Sequence, residues 1–216
     1  MKILYLKTED PAISHLNYND FLHDTLLIGL RNNFGNNVVD YPGAWYMYPK
    51  ERTKRINDST EKIWGNLFTL YDSLQNYDLI DRDDIKKKIE KNFFNLIIFG
   101  SSRGKNLFLE EAIKSKSKII FIDTSDDGYI DATKTNKGLY FKRELYSTEK
   151  NIYPIHFAIP KKKIVSSINL SPKNILSPLI PGKMETYIYE KENQYYEMYQ
   201  NSLFSLTYKK NGWDCF

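Results

Sequence analysis

The sequence predicts an α/β fold: a three-layer, Rossmann-like parallel sheet with helices on both faces. Two strand-sized segments, 95–100 and 118–122, are apolar along their whole length, as are strands buried on both sides. A helical segment lies between them, and short polar turns join the three. Strands that alternate with helices in this way form βαβ units with right-handed crossovers.

The N-terminal elements fit the same pattern. Residues 2–6 are predicted to form a buried strand that ends in a polar run. The segment FLHDTLLIGLRNNFG has a helical apolar pattern, with capping residues before it and a glycine at its end. A second strand is predicted at 37–41, and the aromatic, proline-bounded stretch 41–49 is expected to be irregular.

The middle of the chain supplies the remaining elements of this domain. A charged helix is predicted at 81–91, with Ile85, Ile89 and Phe93 on one apolar stripe. Three more elements follow the same reasoning: a helix at 107–116 and short strands at 140–143 and 152–157.

The predicted domain organisation has three parts. Residues 1–160 form the Rossmann-like domain, and 161–185, rich in lysine, serine and proline, form a linker or an extended crossover. Residues 186–216 contain a short strand–helix–strand unit, which is too small to build its own core. We expect this incomplete βαβ unit to be the start of a truncated second domain.

Composition excludes several classes of protein. The 216 residues are 41% hydrophobic and 27% charged, as in ordinary globular proteins. The single cysteine, Cys215, excludes a disulfide framework and a cysteine-only metal cluster. Only six of the 31 basic residues are arginine, which disfavours nucleic acid as a partner. No apolar run is long enough for a transmembrane segment, and the N-terminus becomes acidic too early for a signal peptide, so a cytoplasmic location is expected.

Candidate ligand contacts follow from the fold class. In open α/β sheets, ligands bind beyond the carboxyl ends of the strands, where the winding reverses. This rule selects 7–10, which includes Thr8, together with 100–105 and 123–131. It also selects His23 and Asp24 at the start of the first helix.

The turn at 100–105 resembles a phosphate-binding loop but lacks the spacing of a Walker motif. Its backbone N–H groups could bind an anion at the start of a helix, or the segment could be an ordinary turn between strand and helix. The candidate substrate contacts in it are Gly100, Ser101, Ser102 and Arg103.

The acidic loop 123–131 partly matches a calcium-binding loop. Lys134 stands where the bidentate glutamate should be, and the three histidines of the chain lack ligand spacing, so no metal site is predicted. Asp123 could orient a hydroxyl or act as a base, or it could cap a turn with its own side chain. Asp126 and Asp127 are candidate substrate contacts.

His23 and Asp24 could together take a proton from an acceptor hydroxyl, because histidine titrates near neutral pH. Alternatively, Asp24 complements the helix dipole and His23 is a surface residue. Aromatic residues gather at 41–48 and 187–199, and their faces could serve as platforms for sugar rings or bases.

Several segments, in order along nearly the whole chain, resemble glycosyltransferase-like proteins of surface-polysaccharide gene clusters, which have a two-domain, GT-B-type architecture. The segments are FLHDTLLIGLR with VVDYP after it, NLIIFGSSR, IIFIDTSDDG, YPIHFAIP, LIPGK and YIYEKENQYYEMYQNSLFSLTYKKNGWDC.

This resemblance implies transfer of a sugar from a nucleotide sugar to a glycan or lipid-linked acceptor, with no obligatory metal or other cofactor. Residues 1–160 would shape the acceptor side, and 186–216 would begin the donor-binding domain. By the same analogy, Asp24, Asp123 and His23 are the base candidates. A homodimer would cover the exposed strand edges of the last unit. The rival hypothesis is a non-catalytic, flavodoxin-like module that binds a glycan, a nucleotide or a protein.

Overall fold

The computed structural model describes residues 1–7, 16–17, 21–58, 62–63, 74–100, 106–125, 127–146, 150–156, 158, 174–176 and 202–204. The helices and strands in these residues are β1 (Ile3–Leu6), β2 (Leu16–Asn17), α1 (Phe21–Phe34), β3 (Val38–Tyr41), α2 (Pro49–Asp58), β4 (Lys62–Ile63), α3 (Ile85–Glu90), β5 (Leu96–Phe99), α4 (Leu109–Lys114), β6 (Lys118–Asp123), α5 (Ala132–Thr135), β7 (Leu139–Lys142), β8 (Ile152–Pro154), β9 (Asn174–Leu176) and β10 (Ser202–Phe204).

Six of these strands form one sheet in the order β3-β1-β5-β6-β7-β8, and every pair is parallel. Helices flank this sheet, so the predicted three-layer, Rossmann-like α/β fold is confirmed. Numbered along the chain, the six strands have the order 2-1-3-4-5-6. The first five match the flavodoxin-like order, in which the winding reverses beside the first strand.

The core lies along the central strands, as their continuous apolar sequence predicts. All four residues of β1 are buried, and the rings of Phe99 and Phe121 stack with centroids 5.1 Å apart. Burying an aromatic side chain of this kind contributes about 2–3 kcal/mol to the free energy of folding. The rigid centre of the sheet therefore fixes the positions of the strand ends.

The charged helix predicted at 81–91 is shorter in the structure. Ile85 and Ile89 are buried on α3 as expected, but Phe93 is 46% exposed and does not continue their stripe. The helix ends at Glu90, and Asn92 has a positive φ of 55° that turns the chain. Phe94, which is 2% exposed, enters the core instead.

The aromatic stretch after β3 contains a 3₁₀ turn over Trp45–Met47. Trp45, Tyr46 and Tyr48 are all buried, so their rings are part of the core and do not form a surface platform. The expectation that 41–48 offers exposed aromatic faces is therefore wrong. The second aromatic segment, 187–199, lies outside the described residues.

The C-terminal part of the chain is described at two short strands only. β9 and β10 pair in parallel, so residues 174–176, within the predicted linker, form a strand. The predicted strand at 186–189 and the helix after it lie outside the described residues. In the part of the chain that the structure covers, no helix has the length and apolar character of a membrane span.

Candidate functional site

The carboxyl edge of the sheet collects the polar residues that the sequence singled out. β1 lies between β3 and β5, and Leu6 is level with both Tyr41 and Phe99. The winding reverses at β1, so the crevice rule selects the ends of β1 and β5. β6 lies on the other side of β5, and the residues that follow these strands therefore share one edge.

Five of the ten predicted site residues can be placed. His23, Asp24 and Gly100 come together at the ends of β1 and β5, and Asp123, the last residue of β6, lies near Asp127. The other five lie outside the described residues: Thr8, Ser101, Ser102, Arg103 and Asp126. Their proposed roles stay predictions.

A buried hydrogen-bonded chain of Lys7, Tyr46 and Asp24 lies where the winding reverses, and His23 lies beside it; we call these four residues the switch-point cluster. Tyr46 Oη lies 2.7 Å from Oδ1 and 2.8 Å from Oδ2 of Asp24, and donates to this carboxylate. Lys7 Nζ donates to Tyr46 Oη and lies 3.8 Å from Asp24 Oδ1. An ammonium group, a phenol and a carboxylate are thereby linked in sequence.

The Tyr46 phenol is held in its neutral form. Its burial, and then the adjacent negative charge of Asp24, raise the pKa of Tyr46 well above its ordinary value. The hydroxyl therefore keeps its proton at neutral pH and donates a hydrogen bond to the carboxylate. Lys7 lies 4.2 Å from the centroid of the same ring, which adds a cation–π contact.

His23 is 2% exposed, so the alternative that it is a surface residue is wrong. Its ring lies 4.9 Å from the ring of Tyr5, and Tyr5 Oη donates to the His23 backbone oxygen over 2.6 Å. His23 Nδ1 is 3.7 Å from Asp24 Oδ1, which is within ion-pair range but too far for a hydrogen bond. These two atoms therefore form no hydrogen bond with each other.

Gly100 has a packing role in the same cluster. A Cβ at Gly100 would overlap the imidazole of His23 and lie 2.6 Å from Tyr5 Oη. The glycine is therefore needed for the close approach of β5 to α1. Both interpretations of the turn stay predictions, because residues 101–105 lie outside the described residues.

The loop that carries Tyr46 is anchored by a buried ion pair. Arg82 Nη2 lies 2.7 Å from Asp40 Oδ1, and the guanidinium stacks 3.9 Å from the centroid of Tyr77. The other Asp40 oxygen accepts from Ala44 N over 2.8 Å, two residues before Tyr46. Asp40 is fully buried, so this anchor fixes the backbone beside the switch-point cluster.

A second network lies at the end of β6, buried except for Asp127 at its surface; we call Asp123, Ser125, Asp127, Tyr140 and Lys142 the β6-end cluster. Tyr140 Oη donates to Asp123 Oδ2 over 2.5 Å, and Lys142 Nζ lies 3.3 Å from the same oxygen. Asp123 Oδ1 accepts from the backbone N and the Oγ of Ser125, at 2.9 and 2.6 Å. Lys142 also donates to Ser125 Oγ and lies 3.6 Å from Asp127 Oδ1.

These contacts set the charge state of Asp123. Burial tends to raise its pKa, but hydrogen bonds from Ser125 and Tyr140, with the Lys142 ammonium, hold the pKa below its ordinary value. The hydrogen bond from Ser125 N to Asp123 Oδ1 caps the turn after β6. The sequence analysis gave this capping role as the alternative to a role as base. Both oxygens of this carboxylate are engaged, which favours a structural role for Asp123 over a role as base.

The calcium-like spacing of the loop has a physical counterpart. The Lys142 ammonium contacts oxygens of Asp123, Ser125 and Asp127. These residues stand at positions 1, 3 and 5 of the loop, which supply ligands in a calcium-binding loop. Asp131 instead accepts from Thr133 N over 3.0 Å and caps α5. A lysine side chain therefore neutralises the carboxylates near the start of the loop.

The sequence analysis selected Lys7 only as the first residue of the stretch 7–10, and it did not single out Tyr46, Tyr140 or Lys142. The sequence of β7, LYFK, contained a usable pattern for Tyr140 and Lys142. Side chains alternate between the two faces of a strand, so these two residues lie on the same face. A lysine at a core-facing position implies a buried acidic partner. Lys7 and Tyr46 meet across 39 positions of sequence, and no local pattern indicates that contact.

A search of protein-family models, curated proteins and solved structures finds no match to this chain. Its function is therefore inferred from its own residues: two buried ionic clusters at neighbouring strand ends, on the edge where α/β sheets bind ligands.

Proposed function

We propose that this chain is the acceptor-side part of a GT-B-type glycosyltransferase, which moves a sugar from a nucleotide sugar to a glycan or lipid-linked acceptor. The observation that carries the proposal is the hydrogen-bonded chain Lys7–Tyr46–Asp24 at the reversal point of the sheet. Perturbed, paired titratable groups are concentrated at functional sites. The segments that resemble surface-polysaccharide glycosyltransferases support the choice of reaction. A reaction that uses nucleotide sugars would also agree with the cytoplasmic location expected from the sequence.

In the proposed reaction, Asp24 is the general base. Its carboxylate accepts the proton of an acceptor hydroxyl while the hydroxyl oxygen attacks the anomeric carbon of the donor sugar. The bond from that carbon to the diphosphate oxygen breaks, and its electron pair leaves with the nucleoside diphosphate. A correctly placed general base contributes a factor of about 10²–10⁴ to such a step.

Tyr46 and Lys7 would act through Asp24. The Tyr46 hydroxyl donates to the carboxylate and holds its orientation, and the Lys7 ammonium stabilises its negative charge before the proton arrives. We propose both as positioning residues. The β6-end cluster would hold the adjacent part of the edge in shape.

The test is an activity assay with matched variants. The chain, combined with a donor-binding domain supplied in trans, is incubated with a panel of nucleoside-diphosphate sugars and oligosaccharide acceptors, and released nucleoside diphosphate is measured together with the elongated acceptor. Asp24→Asn is nearly isosteric and should abolish transfer, whereas Asp78→Asn, on an exposed 3₁₀ turn, should not change it. Equal turnover by wild type and Asp24→Asn would remove Asp24 as the base.

A second candidate is a non-catalytic, flavodoxin-like module that binds a glycan, a nucleotide or a protein. Two observations favour it: the strand order is of the flavodoxin-like kind, and the carboxylate oxygens of Asp24 and Asp123 are occupied by neighbouring side chains. Thermal-shift measurements discriminate the two functions. Stabilisation by a ligand, without turnover of any donor and without an effect of Asp24→Asn on binding, would favour the module.

A further inference from the structure

We infer that Tyr129, Tyr146 and Asp127 form a subsite for an uncharged pyranose ring at the carboxyl edge of β6 and β7. The choice of a sugar as the ligand rests on the proposed function. The subsite itself is argued from exposure, contacts and charge. It lies beside the β6-end cluster and shares Asp127 with it.

The two tyrosines are unusually exposed. Tyr129 is 73% and Tyr146 is 68% exposed, the highest fractions among the large hydrophobic side chains of the described residues. In the segment 41–48, Trp45, Tyr46 and Tyr48 are buried and Tyr41 is half-buried, so Tyr129 and Tyr146 are the more exposed aromatic residues. Tyrosine is suited to binding surfaces because it offers a large face at a low cost in side-chain entropy.

The ring of Tyr146 is positioned by a glycine. A Cβ at Gly128 would overlap Cδ2 of Tyr146 and lie 2.6 Å from its Cε2, so this side of the ring rests on the Gly128 backbone. Since 68% of the residue is exposed, the rest of the ring is open to solvent. Gly128 directly precedes Tyr129, so the ring of Tyr146 packs against the loop that carries Tyr129.

Asp127 supplies a polar group in the same loop as Tyr129. Its Oδ1 accepts from Tyr129 N over 3.0 Å, Ser125 Oγ, which donates to Asp123, lies 3.3 Å away, and Lys142 Nζ lies 3.6 Å away. Within the described residues, Oδ2 accepts no hydrogen bond, and the side chain is 67% exposed. One oxygen thus orients the carboxylate, and the other is available to a ligand.

This combination fits a sugar ring better than other ligands. The C–H groups on one face of a pyranose are apolar and pack on an aromatic ring, while its hydroxyls donate to a carboxylate, which is an acceptor only. An exposed carboxylate repels phosphates and uronic acids. We therefore assign the subsite to an uncharged glycan unit.

Binding is tested on an array of defined uncharged and acidic oligosaccharides, followed by calorimetric titration of the strongest uncharged binder. We expect wild type to bind uncharged glycans selectively. Tyr129→Ala and Tyr146→Ala should each weaken binding at least tenfold, and the corresponding Phe variants should restore most of it. Asp127→Asn should weaken binding severalfold, because the amide still accepts one hydroxyl.

Tyr153→Ala is the matched control, since Tyr153 is a 44% exposed tyrosine on the edge strand β8, away from this loop. Its affinity should equal that of wild type. The inference is overturned if no uncharged glycan on the array binds, or if the Tyr129 and Tyr146 variants bind as tightly as the control. Glycan binding that survives when no donor sugar is turned over would reject the proposed transferase but keep the subsite. Transfer that is lost in Asp24→Asn but unaffected by both Ala variants would reject the subsite and keep the proposed transferase.

Discussion

Lys142 Nζ lies 3.3 Å from Asp123 Oδ2, with 0% and 5% of the respective side chains exposed, and the two residues are direct partners in the register of β6 and β7. The pair forms because both side chains point to the same face at neighbouring positions. Removing one partner of a buried pair leaves an uncompensated charge, which costs more than the pair itself contributes.

Replacing Lys142 tests this pair. Lys142→Met should lower the free energy of unfolding by about 3 kcal/mol, because Asp123 and Asp127 lose their shared counter-charge. Urea unfolding of both proteins measures the difference. Lys87→Met, which removes an exposed pair with Asp84, is the control and should change little. Equal stability of the two variants would contradict a structural role for the buried ammonium.

The pH dependence of stability follows from Asp123. Its pKa is lower in the folded chain than in the unfolded one, so its carboxylate stabilises the fold at neutral pH, and this contribution is lost as the pH falls through the folded-state pKa. Asp123→Asn should therefore be less stable than wild type at pH 7, and the difference should shrink in acid. Urea titrations from neutral to strongly acidic pH measure it. A difference that grows in acid would contradict the assigned direction.

Tyr46→Phe removes the hydroxyl between Lys7 and Asp24 and keeps the ring. We expect a loss of about 2 kcal/mol in unfolding free energy, because the buried carboxylate loses its hydrogen-bond donor. Tyr41→Phe, whose ring packs on Phe108, is the matched control and should cost less than about 0.5 kcal/mol. If the proposed function holds, only Tyr46→Phe also lowers the transfer rate. Indistinguishable unfolding curves would show that the bond contributes nothing to stability.

Gly100→Ala tests the close approach of β5 to α1. The new methyl would overlap His23 and crowd Tyr5 Oη, so we expect a destabilisation of about 1–3 kcal/mol. Gly29→Ala is the opposite case, because a Cβ there has no atom within 4 Å and the position is helical. That variant should gain about 0.5–1 kcal/mol. Thermal unfolding of the two variants should therefore shift in opposite directions.

The sheet was predictable from sequence because its signal is local. Strands buried on both faces are continuously apolar, and this pattern located β1, β5 and β6 to within one residue at each end. The end of each of these strands was predicted from the first polar residue after its apolar segment. For the same reason, His23 and Gly100 could be assigned to one edge before their contact was known.

The side-chain partners were not predictable, because they depend on contacts between distant segments. Tyr46 belongs to an aromatic run with no periodic pattern, and its hydroxyl meets Asp24 only after β3 and the following turn have packed. Phe93 and Phe94 are adjacent and equally apolar, and the positive φ of Asn92 decides which one enters the core.

The complete burial of Asp24 has a kinetic consequence. A molecule that arrives from solvent cannot touch this carboxylate until some side chain around it moves aside. Association would then proceed at the rate of that internal opening, which saturates as ligand concentration increases and does not follow the diffusion limit. Stopped-flow traces with a concentration-independent plateau would be the signature of such gating.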